Sequence, residues 1–238
     1  MDHSVFGPVH LIYLAVTLPI SFAILFFAKK YAKNERSQQI ILKSLGALLF
    51  IWIVINRLSQ VFRYEDVRWE QIIPDSFCGM TSLSLSLAVL FGKKDNPVYH
   101  FTWFLGLVGA SLTVLNPTFL GQGPTIFYLP TISGLLHHSI TLVVVAALFL
   151  FGQINVTYKK WYYSFYGFTV YLTIGAFEMA VLGLEDAFHI VEPILDGTPL
   201  TAWVMAPLYA IGYGLVLFGF EAVRKSRRKN DVTTIEKA

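Results

Sequence analysis

The chain has 238 residues, 55 % of them hydrophobic and 14 % charged, with a formal net charge of +3. Such a composition excludes a water-soluble globular domain, and the basic excess reads as attraction to anionic lipid headgroups rather than as a nucleic-acid footprint. The single cysteine, Cys78, excludes an internal disulfide and any multi-cysteine metal site.

Apolar runs near bilayer length read as spanning helices. The first, at about Val9–Ala28, follows a leader without Lys or Arg and precedes Lys29, Lys30, Lys33, Arg36 and Lys43. That order fits an N-out signal anchor better than a cleavable signal peptide. The second runs over Ile40–Phe62 and is followed by a stretch that mixes Glu65, Asp66 and Glu70 with Tyr64, Trp69, Ile72 and Ile73, suited to the outer interface. Pro74-Asp75-Ser76 then opens the third, Phe77–Phe91, with a proline early and a cap within reach. Its run Ser82-Leu-Ser84-Leu-Ser86 has the period of a strand, but a lone strand would leave its backbone unsatisfied in a bilayer, so the segment reads as helix. Ser82 with Ser86, and Gly106 with Ala110 in the fourth span, Tyr99–Leu115, read as small residues for close packing. An uncharged loop, Asn116–Pro130, should fold back as an outer cap before the fifth span, Thr131–Phe151. The sixth and seventh spans lie at Trp161–Leu182 and Leu200–Glu221.

Charge alternates from loop to loop. Lys93 and Lys94, then Lys159 and Lys160, then Arg224, Lys225, Arg227, Arg228 and Lys229 fall on the same side as the first basic loop; Asp75, Glu185, Asp186, Glu192 and Asp196 fall on the other. Lys and Arg are retained on the cytoplasmic side. The expected architecture is therefore all-α, one seven-helix transmembrane domain over residues 1–238, with the amino terminus outside, the carboxyl terminus cytoplasmic and residues 223–238 a basic tail. The expected location is the cell membrane. On this topology the sequon Asn155-Val-Thr157 lies on the cytoplasmic side and is dismissed.

Ionisable groups inside spans are costly and mark functional candidates. Here they are His10, Arg57 with its neighbour Asn56, Cys78, the pair His137 and His138, and Glu178. At about 1.5 Å per residue all lie in the outer half, His138 roughly 10 Å in, so one outward-opening polar cavity accounts for them. Blander readings stand beside this one. His10 can be interfacial, Glu178 can exist to neutralise Arg57, and a lone cysteine is usually a packing residue. Adjacent histidines point about 100° apart on a helix, so only one should face the cavity squarely. Cys78, in the first turn of its helix, faces the positive end of the macrodipole, and a nearby imidazole would complete a nucleophile–base pair.

A His opening the first span, an Arg late in the second, Ile73-Pro74-Asp75-Ser76-Phe77-Cys78 and His137-His138-Ser139 together resemble the YwaF-like integral membrane proteins. The resemblance covers roughly residues 5 to 220, and because that family is largely bacterial it implies a bacterial source. The family's Leu-Pro-Leu-His-Leu-Cys keeps its Pro and Cys here, with Ser76 where the family has His, and its Ala-His-Gly maps onto His138. The Gly-Pro-Trp-Pro segment survives loosely as Asp196-Gly197-Thr198-Pro199 with Trp203 after it.

That family includes a cysteine-centred acyltransferase acting on ether lysophospholipids. The resemblance implies a phospholipid acyltransferase or lipid hydrolase with Cys78 as nucleophile, His138 as base, and Arg57 or His10 on a phosphate or oxyanion. Asn56, His137 and Glu178 would line the substrate site, and membrane phospholipids would be the partners. A small-solute transporter or receptor-like binding protein is the alternative, although no internal repeat supports the transporter form; a structural membrane protein is the third. No cofactor and no metal is expected.

Overall fold

A computed structural model describes residues 5–63, 65–120, 123 and 125–235, without the side chains of residue 119 and of 227 onward. Tyr64, the side chains of Arg227, Arg228 and Lys229, and residues 236–238 of the basic tail lie outside the described residues. Seven α-helices make up the fold: α1 Pro8–Tyr31, α2 Glu35–Val61, α3 Phe77–Phe91, α4 Pro97–Leu115, α5 Leu129–Leu150, α6 Tyr162–Leu182 and α7 Ala202–Ile235, with no strand among the described residues. Six of them are long and apolar enough to cross a membrane; α3, with 15 residues, is shorter. At about 1.5 Å per residue it reaches roughly 22 Å, less than a hydrocarbon core of about 30 Å.

The helix starts are written in the sequence. Asn34, Ser76 and Asn96 each accept the amide of the residue three further on, at 2.8, 3.2 and 3.1 Å. Pro8 and Pro97 stand at first-turn positions, where no intrahelical donor is lost. Gly183 ends α6 at φ +78°, a conformation that costs a residue without Cβ little. Pro19 and Pro207 lie inside α1 and α7 without ending them, as neighbouring groups allow in spanning helices.

Helix α5 is the hub and packs against α1, α2, α3 and α4; α2 also packs on α3, and α6 lies against α4. Leu42, Leu45 and Leu49 meet Leu85 and Val89 of α3 and Val144 and Leu148 of α5 in one buried cluster. Within the same cluster α7 reaches α4 through rings: Tyr213 lies 5.9 Å from Trp103 and 5.3 Å from Phe104, centroid to centroid.

The end of the bundle that carries the basic loops is pinned by Asp95. Its carboxylate accepts from His100 Nε2 at 2.8 Å, from the Asn155 amide at 2.9 Å and from Lys160. Burial pushes this carboxyl up, but the bonds from Lys160, Asn155 and His100 outweigh it and hold it below its ordinary value. A group so depressed contributes stability that is complete above the ordinary carboxylate value and lost as pH falls through the lowered one. Thermal unfolding against pH should therefore show a loss below the usual carboxylate range that Asp95→Asn lacks; superimposable pH profiles would remove the staple role.

Candidate functional site

At the opposite end, where α2, α4 and α6 finish and α3, α5 and α7 begin, lies a cavity of about 760 Å³. Its mouth is polar, with Arg57, Gln60, Gln71, Asp75 and His189; its deeper wall is apolar, with Phe104, Leu105, Val108, Phe168 and Leu208. Cys78, His137, His138 and Asn56 line the same space. The structure thus brings five of the seven candidate residues together.

Cys78 sits one residue into α3, behind the Ser76 cap. Its amide is among those that helix geometry leaves without an i−4 acceptor. The thiol is seated against Gly109 of α4, where an added Cβ would stand 2.6 Å from Sγ. On the same stretch of α4 the Thr113 hydroxyl donates to the Gly109 carbonyl at 3.0 Å. One turn on, Ser82 joins the Cys78 carbonyl at 3.0 Å to His137 Nδ1 at 3.2 Å and to Thr141 Oγ1 at 2.9 Å. Ser82, expected as a packing residue, is a polar bridge between α3 and α5.

Both histidines of α5 border the cavity, and His137 meets the neighbouring helix α3 through Ser82, as expected for the second of an adjacent pair. Their rings lean together, with centroids 4.1 Å apart: His137 reaches sideways to Ser82, and His138 turns back along its own helix. His138 Nδ1 lies 2.7 Å from the Gly134 carbonyl. A carbonyl can only accept, so the proton is on Nδ1 and the Nε2 lone pair is available. Nε2 is buried and finds no hydrogen-bond partner among the described residues.

Arg57 donates from NH1 to Asp75 Oδ1 at 3.1 Å and from NH2 to Asn56 Oδ1 at 3.0 Å. Asn56 in turn donates to the Pro130 carbonyl and Ser133 Oγ, tying α2 to α5. The carboxylate bonded to Arg57 is therefore Asp75 rather than Glu178, the partner of the blander reading, because the loop before α3 carries Asp75 to the guanidinium. Glu178 is fully buried near the end of α6, outside the cavity lining, and neither carboxyl oxygen finds a hydrogen-bond partner among the described residues. His10 also stands apart. Its Nδ1 accepts the Phe6 amide at 3.0 Å and its Nε2 donates to the Val114 carbonyl at 2.8 Å, so both nitrogens serve the backbone.

Asp75, Gln60 and His189 are cavity residues the sequence did not single out. His189 reaches the mouth because Phe188 and His189 both adopt left-handed backbone, each at φ +57°. The turn is anchored by the Phe188 amide on the Asp75 carbonyl at 2.7 Å and by the Phe188 ring, 5.3 Å from that of Phe77. Among the described residues, no three His, Cys, Asp or Glu side chains gather as a metal site.

No curated protein and no solved structure matches the chain. The sequence profile of the TMEM164 family matches residues 5–223, nearly the whole of it, and this multi-pass helical protein belongs to the TMEM164 family.

Proposed function

We propose that the protein is a membrane-embedded acyl-transfer enzyme, a cysteine-dependent phospholipid acyltransferase or lipid hydrolase of the kind the YwaF-like resemblance implies. The observation that carries this reading is the wall shared by Cys78 and the open Nε2 of His138, with a guanidinium at the mouth. The amino terminus and the cavity would face outward and the basic loops the cytoplasm.

In this mechanism His138 Nε2 takes the Cys78 proton, and the thiolate attacks the ester carbonyl of a phospholipid. The carbon–oxygen ester bond breaks as the thioester forms, and the protonated imidazole returns its proton to the departing lysolipid oxygen. An acceptor hydroxyl, or water in a hydrolase, then gives up its proton to His138 and takes the acyl group, restoring the thiol. Arg57 would hold the phosphate of the headgroup, with Asn56 and Asp75 fixing the guanidinium plane. His137, through Ser82, would fix the position of α3 against α5. His10 and Glu178 have no part in the reaction.

The test uses the chain's only cysteine. Purified protein in liposomes is incubated with phospholipid carrying a labelled acyl chain, and acyl label sensitive to hydroxylamine is sought on Cys78. The expected result is a transient thioester, with turnover that disappears in Cys78→Ala. Turnover that persists in Cys78→Ala without label on the parent would discard the reading. Binding of a solute with no turnover would favour the alternative binding-protein role.

A further inference from the structure

The cavity has a second opening. Val108 and Leu112 on α4 and Leu208 on α7 line it, yet they are 42, 55 and 57 % exposed, far more than the wall of a closed chamber allows. These three side chains flank a slot between α4 and α7, facing sideways out of the bundle. Below the slot the two helices are joined by aromatic rings: Phe104 lies 5.3 Å from Tyr209 and from Tyr213, and the Tyr209 hydroxyl is hydrogen-bonded to Ser164 of α6. From Leu112 to Phe104 the slot spans eight residues of α4, about 12 Å. Gly212 lies at this closed lower end, where an added Cβ would stand 3.8 Å from Phe104 Cζ. The Gly109 seat of the Cys78 thiol lies on α4 between these two levels.

We propose that the α4–α7 slot is a side entrance from the bilayer that takes one hydrocarbon chain of a membrane lipid. It rests on the lipid reading of the site and adds the route. The slot is apolar, is flanked by exposed apolar side chains and runs into the polar mouth, so a bilayer lipid can place its chain in the slot and its headgroup at Arg57 without entering water. Lipid tails are as apolar as the slot, so the chain gains little by moving in. The slot therefore works by shape: Phe104 and Tyr209 block descent, and only the far end of the tail remains in the bilayer.

Cys78 reports on the route whether or not the protein turns over lipid. In phosphatidylcholine liposomes, its alkylation is compared between a long-alkyl maleimide dissolved in the bilayer and a charged, water-soluble maleimide. Val108→Trp and Leu208→Trp, each filling the slot, should slow the bilayer reagent about tenfold, equivalent to an added barrier of about 1.4 kcal/mol, and leave the charged reagent unchanged. Equal effects on both reagents, or none on either, would overturn the proposal. A measurement on the parent alone guards against misfolded variants. A phosphatidylcholine with a mid-chain diazirine should label Thr113 and Phe168, which are buried from the bilayer but line the cavity; label confined to outer faces such as Phe22 would equally overturn it. A side entrance without thioester formation separates this result from failure of the acyl-transfer reading.

Discussion

Replacing His138 with glutamine is expected to lower acyl turnover by roughly 10²- to 10⁴-fold, the range that a positioned general base contributes, and to leave the bundle folded. Glutamine can still donate an amide hydrogen toward the Gly134 carbonyl, so the helix loses little; what disappears is the basic nitrogen that Nε2 presents without a partner among the described residues. His137→Gln should behave differently. Its Nδ1 is occupied by Ser82, so the substitution disturbs the α3–α5 bridge, at a cost of about 1 kcal/mol in stability, and touches the rate less. Initial rates on liposome-embedded protein, paired with thermal unfolding of each variant, separate the two. The reverse ranking, with the large rate loss in His137→Gln, would move the base to the ring tied to Ser82.

The spans were legible because a bilayer demands long apolar helices and because caps and loop charges mark their ends. The expected third span, Phe77–Phe91, coincides with α3, even though the alternating serines mimic a strand. The helix α7 continues past Glu221 to Ile235, where the sequence suggested only a basic tail; its charged residues carry no Pro or Gly to stop a helix. Convergence of Cys78, His138 and Arg57 on one space was also foreseeable, since topology puts their depths together. The partners were not. Asp75 lies in a loop, and only the path of that loop over α2 decides that it, rather than Glu178, meets Arg57. His189 was not legible because its place depends on two successive left-handed residues, neither of them Gly or Asn, the types that usually announce such a turn.

Asp75→Ala is expected to destabilise the protein by about 2–3 kcal/mol. Losing one partner of a buried ion pair costs about 3–5 kcal/mol, because the other charge is left uncompensated. The lower figure applies because the Asp75 side chain is 30 % exposed at the cavity mouth, although that of Arg57 is only 12 % exposed. Arg57 has little in reserve: its Nε is already buried without a partner among the described residues, and Asn56 holds only NH2. Arg57→Met should be harmful alone, yet the double variant should be more stable than the two single losses predict, with a coupling of about 1–2 kcal/mol in a double-mutant cycle. Unfolding in lipid nanodiscs measures all four corners; strictly additive losses would mean that the 3.1 Å contact contributes no net energy. The same cycle bears on function. If Arg57 grips a phosphate, Asp75→Asn removes its competitor, and affinity for an anionic headgroup should rise while stability falls. If the pair only ties the loop to α2, affinity and stability fall together. Opposite movement of the two quantities is the signature of a cation held for a ligand.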